Sequence, residues 1–199
     1  MAKSPEIVTQ RLRIVPVEER HLTPLYVSWL TDKEVVRYSD HRFRKHTLDS
    51  CRSYWESFVG TPNYFWAIEI LDGEPAHIGN MAADVDEVHL VADLSILIGE
   101  RTAWEQGYGS EAWIAGCDYL LSELGMRKIT AGAREVNKGM LGVMRRAGMV
   151  EDGRRVRQCL FEGREVDKVY VALFREEWER RKVEDARMAE LNGRNAIVK

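Results

Sequence analysis

Gly107 and Gly109 stand two residues apart in the run Trp104-Glu105-Gln106-Gly107-Tyr108-Gly109-Ser110-Glu111-Ala112. Glycines in such a loop let backbone N–H groups approach a ligand without interference from Cβ. A helix that starts there adds unpaired donors and the positive end of its dipole. Together these bind phosphate or pyrophosphate. A Walker loop would need Gly-Lys-Ser/Thr, and the chain has no such tripeptide. A dinucleotide fingerprint sometimes tolerates Ala at its third glycine, where Ala112 stands, but this loop lies mid-chain and is set off from Gly99 at the strand end. No cluster of His, Asp, Glu or Cys has metal-ligand spacing. His77 and His89 read as structural or surface residues, and Cys117 falls on the apolar face of its helix as core.

The elements that must hold this loop are legible around it. Ala92-Asp93-Leu94-Ser95-Ile96-Leu97-Ile98-Gly99 is strand-like. Trp113, Ile114, Cys117, Leu120, Leu121 and Leu124 recur at helical spacing, with Gly125 at the C-cap. Further helices are expected over 22–38, 47–59 and 138–147. Strands are expected over 64–71, 76–84, 91–98, Lys128–Ala133 and Lys168–Phe174. Asp72-Gly73-Glu74-Pro75 reads as the turn joining two of the strands. This makes a mixed α/β chain without repeats or linkers. One domain over 1–180 is expected, then a charged tail, 181–199, that reads as a solvated helix.

Composition narrows the function classes. With 199 residues the chain can bury a real core unaided. A net charge of −3 argues against a nucleic-acid binder, which would present a basic surface. Three cysteines without paired spacing suit reduced thiols in the cytoplasm. No apolar run approaches the length of a membrane span, and no export signal is read at the N-terminus.

Residues 104–109 resemble the acyl-CoA loop of the GNAT N-acetyltransferases, Q/R-x-x-G-x-G/A, with Trp104 in the first position. That exchange is common in the branch resembling the ribosomal-protein N-terminal acetyltransferases. Glu105 and Gln106 depart from that branch's usual Gly and Lys. Thr9-Gln10-Arg11-Leu12-Arg13-Ile14 followed by Pro16 is similar to its opening strand, and Leu25–Tyr38 to its first helix. Asn137–Met149 is similar to its post-strand helix and Asp167–Trp178 to its closing strand. The resemblance extends over roughly residues 7–178. It implies the GNAT fold: a mixed, mainly antiparallel central sheet with a splayed strand pair, flanked by helices.

The resemblance also implies chemistry. Acetyl would pass directly from acetyl-CoA to a primary amine, with no covalent enzyme intermediate. Backbone groups of Ile96, Leu97 and Ile98 would grip the cosubstrate's pantetheine arm and polarise the thioester carbonyl. Gln106, Gly107, Tyr108, Gly109, Ser110, Glu111 and Asn137 would complete its binding, with Asn137 also serving as a helix N-cap. Asp93 matches an acidic position that faces the acceptor amine; it is a candidate base, or else a salt-bridged strand-end acid. The usual Tyr or Ser after the Asn is missing, so the donor to the leaving thiolate is unassigned. Acceptor groups are expected from Tyr38, His41, Arg42 and His46, in a loop with five residues able to carry positive charge. Such a loop suits a small anionic acceptor, for example a nucleotide-linked amino sugar. A peptide α-amine is the alternative, and a weakly catalytic acyl-CoA sensor a second. A nicotinamide-dependent oxidoreductase is a remote third. Neither a nucleic-acid nor a membrane partner is expected, and a homodimer is left open.

Overall fold

The computed structural model describes residues 5–71 and 76–197, so the expected turn Asp72-Gly73-Glu74-Pro75 lies outside the described residues. The chain opens with a hairpin of β1 (Ile7–Val8) and β2 (Leu12–Pro16). The helix α1 (Pro24–Thr31) begins where the Thr23 hydroxyl accepts from the Tyr26 amide at 3.2 Å, with Pro24 in the first turn. This helix is shorter than the expected 22–38. The Asp32 carboxylate accepts from the Glu34 amide at 2.8 Å, and that local bond turns the chain out of the helix. The helix α2 (Leu48–Glu56) carries a reciprocal Thr47/Ser50 cap.

Three strands follow: β3 (Tyr64–Ile70), β4 (His77–Asp86) and β5 (Val91–Ile98). The helix α3 (Tyr108–Asp118) runs into one wider turn, Tyr119–Glu123, and stops at Gly125, whose φ is +77°. The Met126 amide then bonds back to the Leu120 carbonyl at 2.9 Å, and the Met126 side chain is buried. Next come β6 (Lys128–Arg134) and α4 (Lys138–Arg146). A long hairpin of β7 (Val150–Phe161) and β8 (Arg164–Phe174) leads into α5 (Arg175–Ile197). The strand β7 has no counterpart among the expected elements. Its residues are exposed almost throughout, so no buried face imposes a period on it. It forms because β8 offers it a backbone edge and Glu162-Gly163, both at positive φ, close a two-residue turn.

The eight strands make one sheet in the order β1-β2-β3-β4-β5-β6-β8-β7. Every neighbouring pair is antiparallel except β5 and β6. These two run parallel for three registers only, Val91 with Lys128, Ala92 with Ile129 and Asp93 with Thr130, and then part. One face of the sheet buries a large core under α3, α4 and the start of α5, around Trp66, Met81, Leu94, Trp113, Leu121 and Trp178. The other face carries a second cluster under α1 and α2, with Trp29, Leu30, Cys51, Phe65 and Leu97. At Gly99, a Cβ would fall 2.1 Å from the Trp29 ring, so only glycine lets the end of β5 pass under α1.

Candidate active site

The parting of β5 from β6 opens a cavity of about 680 Å³. Side chains alternate across β5: Leu94, Ile96 and Ile98 pack on the α3 side, while Asp93, Ser95 and Leu97 point to the other face. Ile96, Leu97 and Ile98 line the cavity along one wall and Gly109, Asn137 and Met140 along another. Asn137 also caps α4, its side-chain oxygen accepting from the Met140 amide at 3.1 Å. Asp93 and Tyr38 border the same space.

At one end lies the glycine loop. Gly107, at φ +84°, turns the chain into α3, and its carbonyl takes the amides of Ser110 and Glu111 at 3.1 and 3.0 Å. Among the described residues, the amides of Tyr108 and Gly109 bond to no protein group, which leaves donors at the helix end for an anion. Cations surround this turn. Arg11 donates to the Gln106 carbonyl at 3.0 Å and stands over the Tyr108 ring at 4.5 Å. Arg146 reaches Ser110 Oγ at 2.8 Å, and Arg101 lies over the Trp104 ring. The residues and the space therefore fit a nucleotide-bearing thioester at this end. Arg146 escaped sequence reading because only the packing of α4 on α3 carries it there.

Glu111, expected among the cosubstrate contacts, has another task. Its carboxylate accepts from Thr9 Oγ1 at 2.6 Å, the Arg11 amide at 2.9 Å and Arg11 Nε at 2.7 Å. Burial pushes its carboxyl up, but the Thr9 and Arg11 bonds outweigh that and hold it below the ordinary range. It anchors the first turn of α3 to the turn between β1 and β2. The Trp104 indole donates to the Ile98 carbonyl at 2.9 Å, which fixes the end of β5 against the loop.

Asp93 sits at the point where the two strands part. Thr130 Oγ1 donates to its carboxylate at 2.7 Å. Although the residue opens onto the cavity, the surrounding walls strip water from the carboxylate and raise its pKa; Asp84, opposite it on β4, pushes the same way. Thr130 and Lys168 pull it back only in part. The outcome is a carboxylate shifted toward neutrality, as a base for an amine requires. Cys117 offers no nucleophile, since burial pushes its thiol up to about 12. Among the described residues no group of His, Cys, Asp and Glu could hold a metal ion. His77 is packed among His21, Tyr26 and Trp29, and burial lowers its pKa to about 4.

The loop over 38–46 differs from its expected role as a basic lip. Arg42 donates to the carbonyls of Arg37 and Leu160 at 2.8 and 3.0 Å and borders neither this cavity nor its neighbour. His46 does not reach them either; its Nε2 pairs with the His41 carbonyl at 3.0 Å. Tyr38 stacks on Phe161, and its carbonyl accepts from Arg134. His41 lines a smaller cavity of about 160 Å³ between α1, α2 and β5, and burial lowers its pKa. Only Arg44 and Lys45 remain as exposed cations of the loop. Lys168, which the sequence did not single out, lines the large cavity, its Nζ 5.2 Å from the Tyr170 ring.

This geometry meets the comparisons with known proteins. The family described as acetyltransferase (GNAT) domain matches residues 11–150. The chain belongs to that family and is an acetyltransferase. It is 24% identical over 159 residues to an N-acetyltransferase 9-like protein of Nematostella vectensis, covering 73% of this chain and 77% of that one. The spermidine N-acetyltransferase of Vibrio cholerae, solved with CoA and spermine, has a TM-score of 0.74 and 17% identity, over 85% of this chain and 99% of that one. The ribosomal-protein-S5-alanine acetyltransferase of Vibrio fischeri has a TM-score of 0.75 and 11% identity, over 88% and 99%. At these identities the two structures show the shared fold. Among the described residues no helix is long and apolar enough to cross a membrane.

Proposed function

We propose that the chain moves acetyl from acetyl-CoA directly to the primary amine of a small anionic acceptor such as a nucleotide-linked amino sugar, in the cytoplasm. The observation that carries this reading is one cavity reaching from the glycine turn to Asp93 through the gap between β5 and β6. When bound, the thioester supplies the acetyl group. The amides at the start of α3, with Gln106, Gly107, Tyr108, Gly109, Ser110 and Asn137 around them, hold its phosphate-bearing arm. Backbone of Ile96 to Ile98 aligns the thioester, and alignment alone contributes several kcal/mol. Asp93 takes the amine's proton, directly or through a water, while Thr130 holds the carboxylate in place. Support for an anionic acceptor comes from Lys168, whose ammonium lines the large cavity and lies 5.2 Å from the Tyr170 ring.

A peptide α-amine is the second reading, favoured by the open space over Gly153 on the exposed strand β7. The absence of Tyr or Ser between Asn137 and Arg154 favours an acyl-CoA sensor. Release of CoA from acetyl-CoA with and without amines tests all three. Turnover that needs a small amine supports the proposal, turnover only with peptides selects the second reading, and binding without turnover selects the sensor.

A further inference from the structure

The smaller cavity, about 160 Å³, joins the larger one along Ser39, Ser95, Ile96 and Leu97, which line both. At that size it is fit for a head group rather than a whole substrate. On β5, Ser95 follows Asp93 on the same face by two residues, about 7 Å. A group seated in this cavity is therefore within reach of a molecule whose amine stands at Asp93.

The lining chemistry is unusual in one respect: it is polar without a formal charge. Tyr26 and Tyr54, Ser39 and Ser95, Asn80 and His41 supply the polar groups, and no Asp, Glu, Lys or Arg lines the space. Burial lowers the His41 pKa, and the neighbouring His46 and Arg44 lower it further against Asp40, which favours the neutral imidazole. Two polar atoms here are buried and lack a partner. Asn80 is 6% exposed; its oxygen pairs with His77 at 3.0 Å, while its Nδ2 bonds nothing. His41 Nδ1 is likewise unsatisfied. An unmade bond at a buried donor is costly, and a ligand that completes it gains what the folded chain forgoes. One atom is a donor and the other, in the neutral ring, can accept. A hydroxyl both accepts and donates. An ammonium or a carboxylate in this space would meet no counter-charge.

We propose that Asn80 and His41, with Tyr26 and Tyr54, form a specificity pocket for an uncharged, hydroxyl-bearing head group of the acceptor. This rests on the reading of the chain as an amine acetyltransferase and sharpens it. The pocket takes the hydroxylated ring or chain beside the amine. Any anionic part of the acceptor lies outside it.

The test compares kcat/KM for glucosamine with that for cyclohexylamine, its unhydroxylated counterpart, and with spermidine and aspartate as charged probes. The wild-type protein is expected to prefer glucosamine by about a hundredfold or more, as sites built to bond a hydroxyl do. Asn80→Leu and His41→Leu are each expected to cut that ratio about tenfold or more, whatever they do to absolute rates. Asn80→Asp, which puts a charge in the pocket, is expected to shift preference toward spermidine. The ratio is the readout because a purely structural loss lowers both substrates alike. A ratio unchanged in both leucine variants overturns the pocket, as does wild-type preference for spermidine or aspartate. Acetyl transfer itself stands in those cases. If no amine is acetylated and acetyl-CoA does not bind, the enzyme reading falls and takes the pocket with it.

Discussion

Asp93→Asn is the substitution that asks most of the proposed chemistry. Asparagine keeps the size of the side chain and an oxygen to accept the Thr130 bond, now 2.7 Å, but it cannot take a proton. A positioned general base contributes about 10²–10⁴-fold. At 1.36 kcal/mol per decade that is about 3–5 kcal/mol of barrier. The side chain stands at the last paired register of β5 and β6, away from the glycine loop, so acetyl-CoA affinity should hold. The assay is CoA release at saturating amine across pH, with calorimetry for acetyl-CoA binding. In the wild type, activity should fall on the acid side as Asp93 protonates, and the fall should begin above the ordinary carboxylate range because burial raises this pKa. That limb should vanish in the variant. The sign for stability is opposite. A raised folded pKa means the folded chain holds the proton more tightly, so stability declines as pH rises through the shifted pKa. The variant should therefore melt no lower than wild type at neutral pH. Wild-type kcat in Asp93→Asn at every pH would remove Asp93 from the mechanism.

Other outcomes follow from the same contacts. Thr130→Val removes a bond that lowers the Asp93 pKa, so the acid limb of the activity profile should move to higher pH; an unmoved limb would show that Thr130 does not tune the base. Gly99→Ala forces a Cβ to 2.1 Å from the Trp29 ring and should cost about 1–3 kcal/mol, read from denaturant melts. Glu111→Gln should loosen the tie between the β1–β2 turn and α3 and weaken acetyl-CoA binding without changing the acceptor preference. Because Glu111 is held below its ordinary pKa, its contribution is present above that ordinary value and is lost as pH falls through the lowered one. The gap in melting temperature between wild type and this variant should therefore narrow in acid.

What could be read from the chain alone was local. The run from Ala92 to Gly125 announces itself because strand, glycine turn and amphipathic helix are contiguous, and Gly107 and Gly125 do take the positive φ such turns need. Asn137 as an N-cap was equally local. The strand β7 stayed hidden because its pattern is set by a neighbour's edge rather than by a buried face. Arg42 reads as a ligand for anions, yet its two terminal nitrogens donate to carbonyls, one of them 118 residues away. Asn80 had no local signal at all. It sits inside a strand of small and apolar residues, and only the register of β4 on β5, opposite Leu97, brings it to the smaller cavity. Contacts between distant segments of this kind leave no period and no spacing to read.

The central claim is amine-dependent acetyl transfer from acetyl-CoA. The most direct measurement is release of free CoA over a panel of amines, with the acetylated product identified by mass. The panel should hold amino sugars free and nucleotide-linked, acidic amino acids, polyamines and short peptides with free N-termini. The account predicts that CoA appears only when an amine is present, in equal amount with an N-acetylated amino sugar. Acetyl-CoA that neither raises the melting temperature by binding nor yields CoA with any amine would contradict it.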